Sequence, residues 1–305
     1  MTGGAGFVGS HVVDRLVADG HVVAVVDDLS SGRREHVNRH AELQVCDIRT
    51  PGLGAVLDTA RPEGVVHLAA QAAVPRSVAD PVFDATVNVM GTLNLLEACQ
   101  RVGVQRVVYI STGGAGYGDT DVLPTPEQHP SWPTSPYGVS KVAAEMYVTC
   151  WAGLTGSSGL SLRLANIYGP RQSPEGEAGV VAIFAHRLLA GQPCIVNGDG
   201  DQTRDYVYVE DVADAVARAL ERPGAKGVVN IGTGRETTVN TIYGLLARAA
   251  GVGRPAQHGP ARPGEQRRSV LDNRRARALL GWEPRVALED GLARTVAALR
   301  GGGTS

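Results

Sequence analysis

Short apolar runs alternate with longer segments of helical periodicity along the first half of the chain. Each run has about five residues and is followed by polar or glycine residues, which is typical of strands in a buried sheet. The runs lie at residues 21–26, 42–47, 64–68 and 106–111, and helical spacing marks residues 11–19 and 81–102. Strands that alternate with helices predict an α/β fold whose parallel sheet is doubly wound and right-handed.

The pattern changes after Leu164, where polar loops rich in glycine and proline separate the apolar segments. We expect helices over residues 180–190, 210–221, 239–250 and 274–280, another from residue 288, and strands over residues 204–209 and 228–231. In open α/β sheets, ligands bind outside the carboxyl ends of the strands. The second half is therefore predicted to cap that edge of the sheet.

Length and composition are those of a soluble globular protein. The 305 residues are 43% hydrophobic and 20% charged, and the formal net charge is −2. This balance gives no reason to expect nucleic acid or an anionic membrane as a partner. The four cysteines lack the spacing of a metal site, and no apolar run is long enough to span a bilayer. We therefore expect a cytoplasmic protein without a metal ion.

A glycine-rich turn stands at the start of the sequence. Gly3, Gly6 and Gly9 precede a predicted helix, so the backbone can turn tightly and approach a pyrophosphate at the helix N-terminus. The strand that follows ends in Asp27 and Asp28, where a carboxylate can accept both ribose hydroxyls and would repel the 2′-phosphate of NADP. The pattern predicts a dinucleotide site that prefers NAD.

The central strand of such a fold is short of residues. It should precede the first glycine, but only Met1 and Thr2 precede Gly3, whereas a strand usually has about five residues. An empty position in the sheet would leave the backbone groups of both neighbouring strands unpaired. Either the natural chain starts earlier or another segment fills the position.

The segment from Ser135 to Lys141 carries the candidate chemistry. Tyr137 and Lys141 are four residues apart beside a predicted helix over residues 140–146, so both side chains project from the same face. A phenol has a pKa of about 10 and is a poor base at neutral pH. A neighbouring ammonium and a cationic nicotinamide both favour the phenolate. The pair is suited to taking a proton from a hydroxyl while hydride leaves the same carbon.

Several motifs in sequence order carry a resemblance that spans essentially the whole chain. They are the glycine loop, Asp27, Asp47-Ile48, His67-Leu68-Ala69-Ala70, Ser111-Thr112, Tyr137-Gly138-Val139-Ser140-Lys141 and Arg204-Asp205-Tyr206. With these motifs the chain resembles the extended short-chain dehydrogenase/reductase family, and within it the bacterial UDP-galactose (UDP-glucose) 4-epimerases. The resemblance implies a Rossmann domain over residues 1–165, to which residues 205–232 return, and a nucleotide-sugar lobe over residues 166–204 and 233–305.

The resemblance also implies a reaction, namely NAD-dependent inversion at C4 of a UDP-hexose through a transient 4-keto sugar. Tyr137 would be the acid and base, Lys141 would hydrogen-bond the nicotinamide ribose, and Thr112 would join the catalytic set. The residues implied to bind NAD are Gly3, Gly6, Phe7, Val8, Asp27, Asp28, Ser31, Gly32, Asp47, Ile48, Leu68, Ala69, Ala70, Gln71, Asn88, Ser111, Tyr137 and Lys141. Those implied to bind the UDP-sugar are Asn166, Val181, Ile195, Asn197, Arg204, Arg262 and Glu265.

The chain departs from the family pattern near the predicted sugar pocket. Most relatives carry Ser or Thr where this chain has Gly113, and that hydroxyl bridges the catalytic phenol and the sugar O4. Thr112, or a direct contact of Tyr137 with O4, would have to substitute for it. Ser269 lies at a position that shapes the sugar pocket, and its small side chain leaves room for an N-acetyl group or a carboxylate.

Other activities of the same fold make different demands on these residues. UDP-glucuronate and UDP-N-acetylglucosamine 4-epimerases stay open as alternatives. A dTDP-sugar 4,6-dehydratase needs an acid and a base after the threonine, where this chain has Gly113 and Gly114, and a UDP-glucuronate decarboxylase lacks support for the same reason. A non-catalytic NAD-binding protein would not need both Tyr137 and Lys141.

Apolar residues on two predicted helices suggest self-association. They are Val82, Phe83, Met90 and Leu93 on the first helix and Val142, Met146 and Trp151 on the second. The resemblance implies that these residues form a four-helix contact in a homodimer. Packing against the sheet is the alternative.

Overall fold

The computed structural model describes residues 1–175, 179–261, 264 and 266–301. The strands are β1 Ala24–Asp27, β2 Glu42–Val45, β3 Gly64–His67, β4 Arg106–Thr112, β5 Ser158–Leu164, β6 Asn166–Tyr168, β7 Ile195–Asn197, β8 Thr203–Arg204, β9 Tyr206–Tyr208, β10 Gly227–Ile231, β11 Thr237–Thr238 and β12 Gln257–Gly259. The helices are α1 Phe7–Ala18, α2 Gly52–Ala60, α3 Val74–Ala79, α4 Pro81–Ala85, α5 Gly91–Val102, α6 Gly114–Tyr117, α7 Pro136–Thr155, α8 Val180–Leu189, α9 Val209–Glu221, α10 Val239–Ala250, α11 Arg274–Leu280 and α12 Leu288–Gly301.

The main sheet is parallel throughout. β1 pairs with β2, and four further strands pair in the order β3-β4-β5-β10. α2 lies along the chain between β2 and β3, α3 to α5 lie between β3 and β4, and α6 and α7 lie between β4 and β5. The predicted α/β fold with a parallel sheet is confirmed.

The backbone of Met1 and Thr2 lies between β1 and β3. Thr2 forms parallel bridges with Val26 and His67, and these bridges join the two groups of strands. Val26 N donates to Met1 O at 2.8 Å, and Thr2 N donates to Val66 O at 3.0 Å. The carboxyl ends of β1 and β3 are therefore paired, and the glycine turn begins between them.

Helices cover both faces of this sheet. Successive strand residues point to opposite faces, so Val107 and Val108 belong to different apolar clusters. On one face Val108 lies in the cluster of α1 and α9, which contribute Val12 and Val216. On the other face Val107 lies with residues of α2, α5 and α7, among them Leu95. The site described below lies at the edge between these two cores.

The second lobe has a core of its own. α8, α10 and α12 surround it with apolar residues that include Phe184, Ile242 and Leu292. Three short strand pairs accompany these helices: β7 with β12, β8 with β11 and β6 with β9. The domain boundaries given above stay a prediction, and the buried residues of α11 pack with the sheet core.

Several helices agree with the predicted bounds, and others differ in ways that matter for the site. α10 and α11 have the predicted ends. α7 begins at Pro136 rather than at residue 140, so it includes Tyr137. The helix predicted over residues 81–102 is continuous, but a π-helical turn at Thr86–Met90 joins α4 to α5. α2, α3, α6, the main-sheet strand β5 and the short strands β6, β7, β11 and β12 have no counterpart among the predicted elements.

The single strand predicted over residues 204–209 is wrong. The chain forms β8 and β9 on either side of Asp205, which is buried. The Asp205 carboxylate accepts hydrogen bonds from Thr233 N at 2.8 Å, from the Thr233 hydroxyl at 2.6 Å and from Gly234 N at 3.1 Å. These bonds to a distant loop turn the backbone at a point where a regular strand would continue.

For Val142 and Trp151 the structure follows the alternative of packing within the chain rather than the dimer contact. Val142 and Trp151 are 7% and 6% exposed and pack inside the protein. Val82, Met90 and Met146 are exposed, as predicted. No helix in the described ranges is both long and apolar enough to cross a membrane. In the same part of the chain, no three His, Cys, Asp or Glu side chains are grouped as metal ligands.

Candidate active site

The first two turns of α7 position Tyr137 and Lys141. Pro136 is the first helical residue, and the Ser135 hydroxyl caps the helix by accepting a hydrogen bond from a first-turn N–H at 3.2 Å. Both candidates are therefore inside the helix, one turn apart on the same face. Lys141 is buried, and its ammonium lies 4.3 Å from the centre of the Tyr109 ring.

Burial dominates the pKa values of this pair. It raises the pKa of Tyr137 to about 12, because a phenolate is poorly solvated there, while a hydrogen bond with Thr112 lowers that pKa. Burial also lowers the pKa of Lys141 to about 7, and the carboxylates of Glu145 and Asp84 raise it. The charge of Asp84 also raises the pKa of Tyr137. Near neutral pH, the charge of Lys141 therefore depends on these two acids.

Glu145 lies one turn beyond Lys141 on the same helix face. Its carboxylate accepts hydrogen bonds from Arg163 Nε at 3.0 Å and from Arg163 Nη2 at 2.6 Å. Arg163 projects from β5, and its guanidinium lies 4.5 Å from the centre of the Tyr117 ring. The sequence analysis missed this pair. Its signal was the four-residue spacing from Lys141 to Glu145, but nothing in the sequence links Glu145 to Arg163.

The π-helical turn between α4 and α5 carries a second buried polar cluster. Asn88 Nδ2 donates to Gln71 O and to Ser140 Oγ, both at 3.0 Å, and Asn88 Oδ1 accepts from Gln71 N at 2.8 Å. Asp84 Oδ1 accepts from Gln71 Nε2 at 2.8 Å. Asp84 Oδ2 is buried without a hydrogen-bond partner. The cluster ties the loop after β3 to α7, and Asp84 is a second residue that the sequence analysis missed.

The glycine loop begins where the backbone passes between β1 and β3. Gly3 has a φ of +72°, and a Cβ at this residue would lie 2.6 Å from Ala69 N. Both facts require glycine. α1 begins at Phe7, and its N-cap residue Gly6 supplies no side-chain cap. The first-turn N–H groups can therefore bind an anion such as a pyrophosphate.

Asp27 connects the glycine loop to the loop after β1. Its Oδ2 accepts from Ala5 N and its Oδ1 accepts from Leu29 N, both at 2.9 Å. Burial raises the pKa of Asp27, and the two N–H groups lower it. Each carboxylate oxygen retains a second lone pair that can accept a ribose hydroxyl. These residues fit the adenosine half of NAD.

The other residues predicted to bind NAD follow the carboxyl ends of parallel strands or begin α1. Ser31 and Gly32 follow β1, Asp47 and Ile48 follow β2, and residues 68–71 follow β3. Asp28 accepts hydrogen bonds from Ser30, and Asp47 is held by Arg49. The Ser111 hydroxyl is buried without a partner near the end of β4. The topology therefore brings the predicted set to one edge of the sheet.

Five of the residues predicted to bind the UDP-sugar lie on described segments of the second lobe. Asn166 N donates to Asp205 O at 2.9 Å, which places Asn166 next to Arg204. Ile195 and Asn197 belong to β7. Val181 is buried in the lobe core. Arg262 and Glu265, the remaining two, lie outside the described residues.

Gly113 and Thr112 lie where β4 ends and α6 begins. Thr112 is partly exposed, whereas Gly113 is buried. A Cβ on Gly113 would lie 2.6 Å from Leu271 Cδ1. The position at which the family resemblance implies a hydroxyl is thus next to a leucine, a contact that was not predicted from the sequence.

The fold and the Tyr–Lys pair together define a protein of the extended short-chain dehydrogenase/reductase class. Residues 1–232 match the model of the NAD dependent epimerase/dehydratase family. The chain is 48% identical over 301 residues to UDP-glucose 4-epimerase of Mycolicibacterium smegmatis, covering 97% of this chain and 96% of that relative. The chain belongs to the NAD dependent epimerase/dehydratase family.

Solved structures show the same likeness in three dimensions. A UDP-glucose 4-epimerase of Thermotoga maritima, crystallised with UDP-glucose, matches with a TM-score of 0.96 at 48% identity, covering 99% of this chain and 98% of that one. The enzyme of the same name from Thermus thermophilus, in complex with NAD, matches with a TM-score of 0.93 at 45% identity, covering 100% and 98%.

Proposed function

We propose that this protein interconverts the C4 epimers UDP-glucose and UDP-galactose with NAD as its cofactor. One observation carries the proposal: Tyr137 and Lys141 share a face of α7 beside Thr112, at the sheet edge that also holds the glycine loop. The pair supplies a proton carrier next to a dinucleotide site. The two solved epimerases, one with UDP-glucose and one with NAD, support the substrate class.

The glycine loop, Asp27 and Lys141 would hold the cofactor. NAD held there would supply a hydride acceptor and donor for the sugar C4, which would let C4 invert without net oxidation. Tyr137 takes the proton of the sugar O4 at its phenol oxygen. It gives the proton back after the keto sugar has rotated to present its other face. A positioned acid–base group of this kind contributes about 10²–10⁴ in rate.

Lys141 makes the phenol a usable base. A phenol with a pKa of about 12 holds its proton at neutral pH, so the neighbouring charges must lower that pKa during catalysis. The ammonium of Lys141 does this only while it is charged. Its own pKa is about 7 because it is buried, and the carboxylates of Glu145 and Asp84 oppose that effect. The two acids thus help to maintain the charge that activates Tyr137.

The lobe residues would bind the UDP moiety. Guanidinium groups suit a diphosphate because their donors match phosphate oxygens in pairs. Asn166 N donates to the backbone oxygen of Asp205, the residue that follows Arg204, so the backbones of Asn166 and Arg204 lie close together. Arg262 and Glu265 are proposed for the same role on the sequence alone.

UDP-N-acetylglucosamine is the second candidate substrate. The observation that favours it is the cleft beside Gly113, where many of the lining residues are small or polar. A Cβ on Gly114 would lie 3.5 Å from Ser269 Oγ and 4.0 Å from Gln266 Oε1. Gly114 has no side chain and Ser269 has a short one, so neither places a bulky group where an N-acetyl group would lie. UDP-glucuronate is the third candidate, since a carboxylate would meet the same two small residues.

Two further observations support a proposal for the assembly and the location of the protein. Exposed apolar residues on adjacent helices, Val78, Val82 and Met90 with Met146 and Leu154, form a face that a second copy of the chain would cover. All four cysteines are free thiols, in keeping with a reducing compartment. A homodimer in the cytoplasm is therefore proposed. Light scattering of the wild type and of Met146→Glu tests the dimer, which the variant should weaken.

The decisive experiment incubates the purified protein separately with UDP-glucose, UDP-galactose, UDP-N-acetylglucosamine and UDP-glucuronate, and reads C4 inversion by NMR. We expect inversion of the first two. Inversion of only the N-acetyl or the glucuronate pair would replace the proposed substrate by that candidate. NAD binding without turnover of any of the four would make the protein a non-catalytic member of its family.

A further inference from the structure

The turn that follows β6 is bonded to α1. His11 and Asp14 are three residues apart on one face of that helix. The carbonyl of Pro170 accepts a hydrogen bond from His11 Nε2 at 3.0 Å. Arg171 Nη1 lies 2.8 Å from Asp14 Oδ2, and the two side chains are 33% and 35% exposed. α1 therefore holds two consecutive residues of the turn, each through a different side chain.

Arg171 has a backbone conformation that residues with a side chain rarely adopt. Its φ is +67°, in the left-handed region that favours glycine. Such a conformation persists only where the surrounding contacts hold it, and it is concentrated at functional sites. The contacts that hold it in this turn are the two bonds to α1. The strained residue is thus the same one that reaches across to Asp14.

Asp14 also joins the turn to the loop after β1. Its Oδ1 accepts a hydrogen bond from Asn38 Nδ2 at 2.8 Å, while its Oδ2 faces Arg171. His11 packs edge to face against the ring of Phe7, with 6.1 Å between the ring centres. Phe7 is among the residues predicted to bind NAD. The turn is therefore bonded to elements of the predicted cofactor site.

The same turn connects β6 to α8, which carry Asn166 and Val181 of the predicted UDP-sugar set. Gln172 Nε2 donates to a carbonyl of β6, that of Ile167, at 3.3 Å. A Cβ on Gly179, the N-cap residue of α8, would lie 3.1 Å from the same nitrogen. Gln172 thus contacts both segments, and it directly follows the residue that is fixed to α1.

We propose that Arg171 is a positioning residue for the nucleotide sugar. Its ion pair with Asp14 fixes the turn to α1 and thereby sets the position of the UDP-binding segments relative to the cofactor site. This inference rests on the proposed epimerisation. Arg171 acts through Gln172 and the backbone of the turn, without touching the reacting atoms. Tyr137 and Lys141 lie on α7, outside this contact, so loss of the ion pair affects substrate binding and not the proton transfer.

Arg171→Gly is the first test variant, because glycine adopts a positive φ without strain while the guanidinium is removed. The Kd of UDP and the KM for UDP-glucose should rise about fivefold, the upper end for an exposed ion pair, and kcat should stay at the wild-type value. Calorimetric titration of the NAD-loaded protein with UDP and steady-state kinetics measure these values. A merely structural role would lower the melting temperature and leave KM unchanged.

Asp14→Asn breaks the same ion pair from the side of α1. Asparagine keeps the oxygen that accepts the hydrogen bond of Asn38, so the loop after β1 keeps its contact. The Kd of UDP should rise as much as in Arg171→Gly. The double variant should bind UDP no more weakly than either single variant, because both substitutions remove one shared interaction.

The matched control is Arg101→Ala. Arg101 on α5 forms an ion pair of 3.2 Å with Asp58 on α2, and its side chain is 53% exposed. Both helices pack on the main sheet, away from the turn after β6. The control should therefore leave the Kd of UDP and the KM for UDP-glucose unchanged. Melting temperature and NAD content show whether each variant folds.

Wild-type UDP affinity in Arg171→Gly and Asp14→Asn would overturn the proposal. Additive losses in the double variant, or an equal loss in Arg101→Ala, would also overturn it, because neither agrees with one specific contact. Failure of the proposed function looks different. In that case the wild type binds UDP but inverts no UDP-sugar, and the UDP affinities of the variants still decide the role of Arg171. A wild type that binds no UDP would contradict both.

Discussion

The carboxylate of Glu145 is held by the guanidinium of Arg163 through two hydrogen bonds of 2.6 and 3.0 Å. The side chains are 5% and 6% exposed, and the pair lies one helical turn beyond Lys141. Glu145 thus faces two cations, one from β5 and one from its own helix. The anion that supports the charge of Lys141 is itself fixed in place, so the lysine can remain ordered in a buried site.

Glu145→Gln should destabilise the fold by about 3–5 kcal/mol, because it leaves the buried charge of Arg163 without its partner. Chemical denaturation at neutral pH measures the loss. The double variant Glu145→Gln/Arg163→Met removes both charges and should recover most of the stability. If Glu145→Gln is as stable as the wild type, the Glu145–Arg163 pair does not stabilise the fold as its geometry indicates.

Asp84→Asn should move the pH profile of kcat to lower pH. The charge of Asp84 raises the pKa of both Lys141 and Tyr137, so its removal lowers both values. The phenol then ionises at lower pH and the ammonium is lost at lower pH. Both the rising and the falling limb of the pH profile of kcat should therefore shift to lower pH. Glu145 still faces Lys141, and Thr112 still faces Tyr137, so the bell shape should persist.

The matched control is Asp80→Asn on the same segment. Asp80 is exposed and caps α4 by accepting a hydrogen bond from Phe83 N, a role that asparagine fills equally well. Its profile should coincide with that of the wild type. A shift of equal size in both variants would show that general surface charge, rather than the buried position of Asp84, controls the profile.

Tyr137→Phe should lower turnover by about 10²–10⁴-fold while UDP-sugar binding stays largely intact. The substitution keeps the ring and removes only the hydroxyl that carries the proton. Steady-state kinetics and calorimetric titration with UDP-glucose measure the two effects. Tyr147→Phe, on the exposed side of the same helix, is the control. Wild-type turnover in Tyr137→Phe would remove this residue from the mechanism.

The nucleotide released from the purified protein should be NAD(H) rather than NADP(H). The Asp27 carboxylate is nearly buried beside Ala5 N, where it would meet the 2′-phosphate of NADP with its own negative charge. Asp27→Asn should reduce the bound NAD. Asp58→Asn changes an exposed carboxylate on α2 that contacts Arg101, and it should have no such effect. NADP(H) in the wild-type extract would contradict the proposed role of this strand end.

His67 should make the protein less stable in mild acid. Burial lowers the pKa of His67 to about 3, helped by the charge of Lys141, and its two ring nitrogens contact the hydroxyls of Thr2 and Thr92. The unfolded chain takes up the proton near the ordinary histidine pKa of 6.5, so stability falls as pH drops below that value. From pH 7 to pH 5, protonation of this histidine in the unfolded chain should lower the free energy of unfolding by about 2 kcal/mol.

The measurement compares unfolding free energies of the wild type and His67→Asn at both pH values. The variant should be less stable at pH 7 but should lose about 2 kcal/mol less on acidification. His40→Asn, at an exposed position, is the control and should follow the wild type. An equal decrease in the free energy of unfolding from pH 7 to pH 5 in His67→Asn and the wild type would mean that His67 does not titrate as its environment indicates.

The sequence determined the order and kind of most elements, because apolar periodicity reflects which face of each element is buried. It also determined the candidate pair on α7, since a four-residue spacing on a helix places two side chains together wherever the helix packs. The turn at Gly3 and the position of Asp27 at the end of β1 were predictable for the same reason, as both are local features of the chain. These features involve residues close together in the chain.

Contacts between distant residues were decided by the tertiary structure. The pairing of Glu145 with Arg163 needs α7 to lie against β5, and no local pattern encodes that contact. The inward direction of Trp151 follows from how α7 is rotated on the sheet. The break at Asp205 depends on a carboxylate that bonds a loop 28 residues away.

The environment of Gly113 is the clearest case of a contact between distant residues that the sequence alone does not reveal. The sequence reveals that a hydroxyl is missing there, because the neighbouring motif fixes the position. Only the folded chain shows that Leu271 fills the space, since the two residues are brought together by the strand contact at Thr125 and by the carboxylate of Asp205. Short-range geometry can be read from spacing, whereas steric exclusion between remote segments depends on the packing of the whole domain.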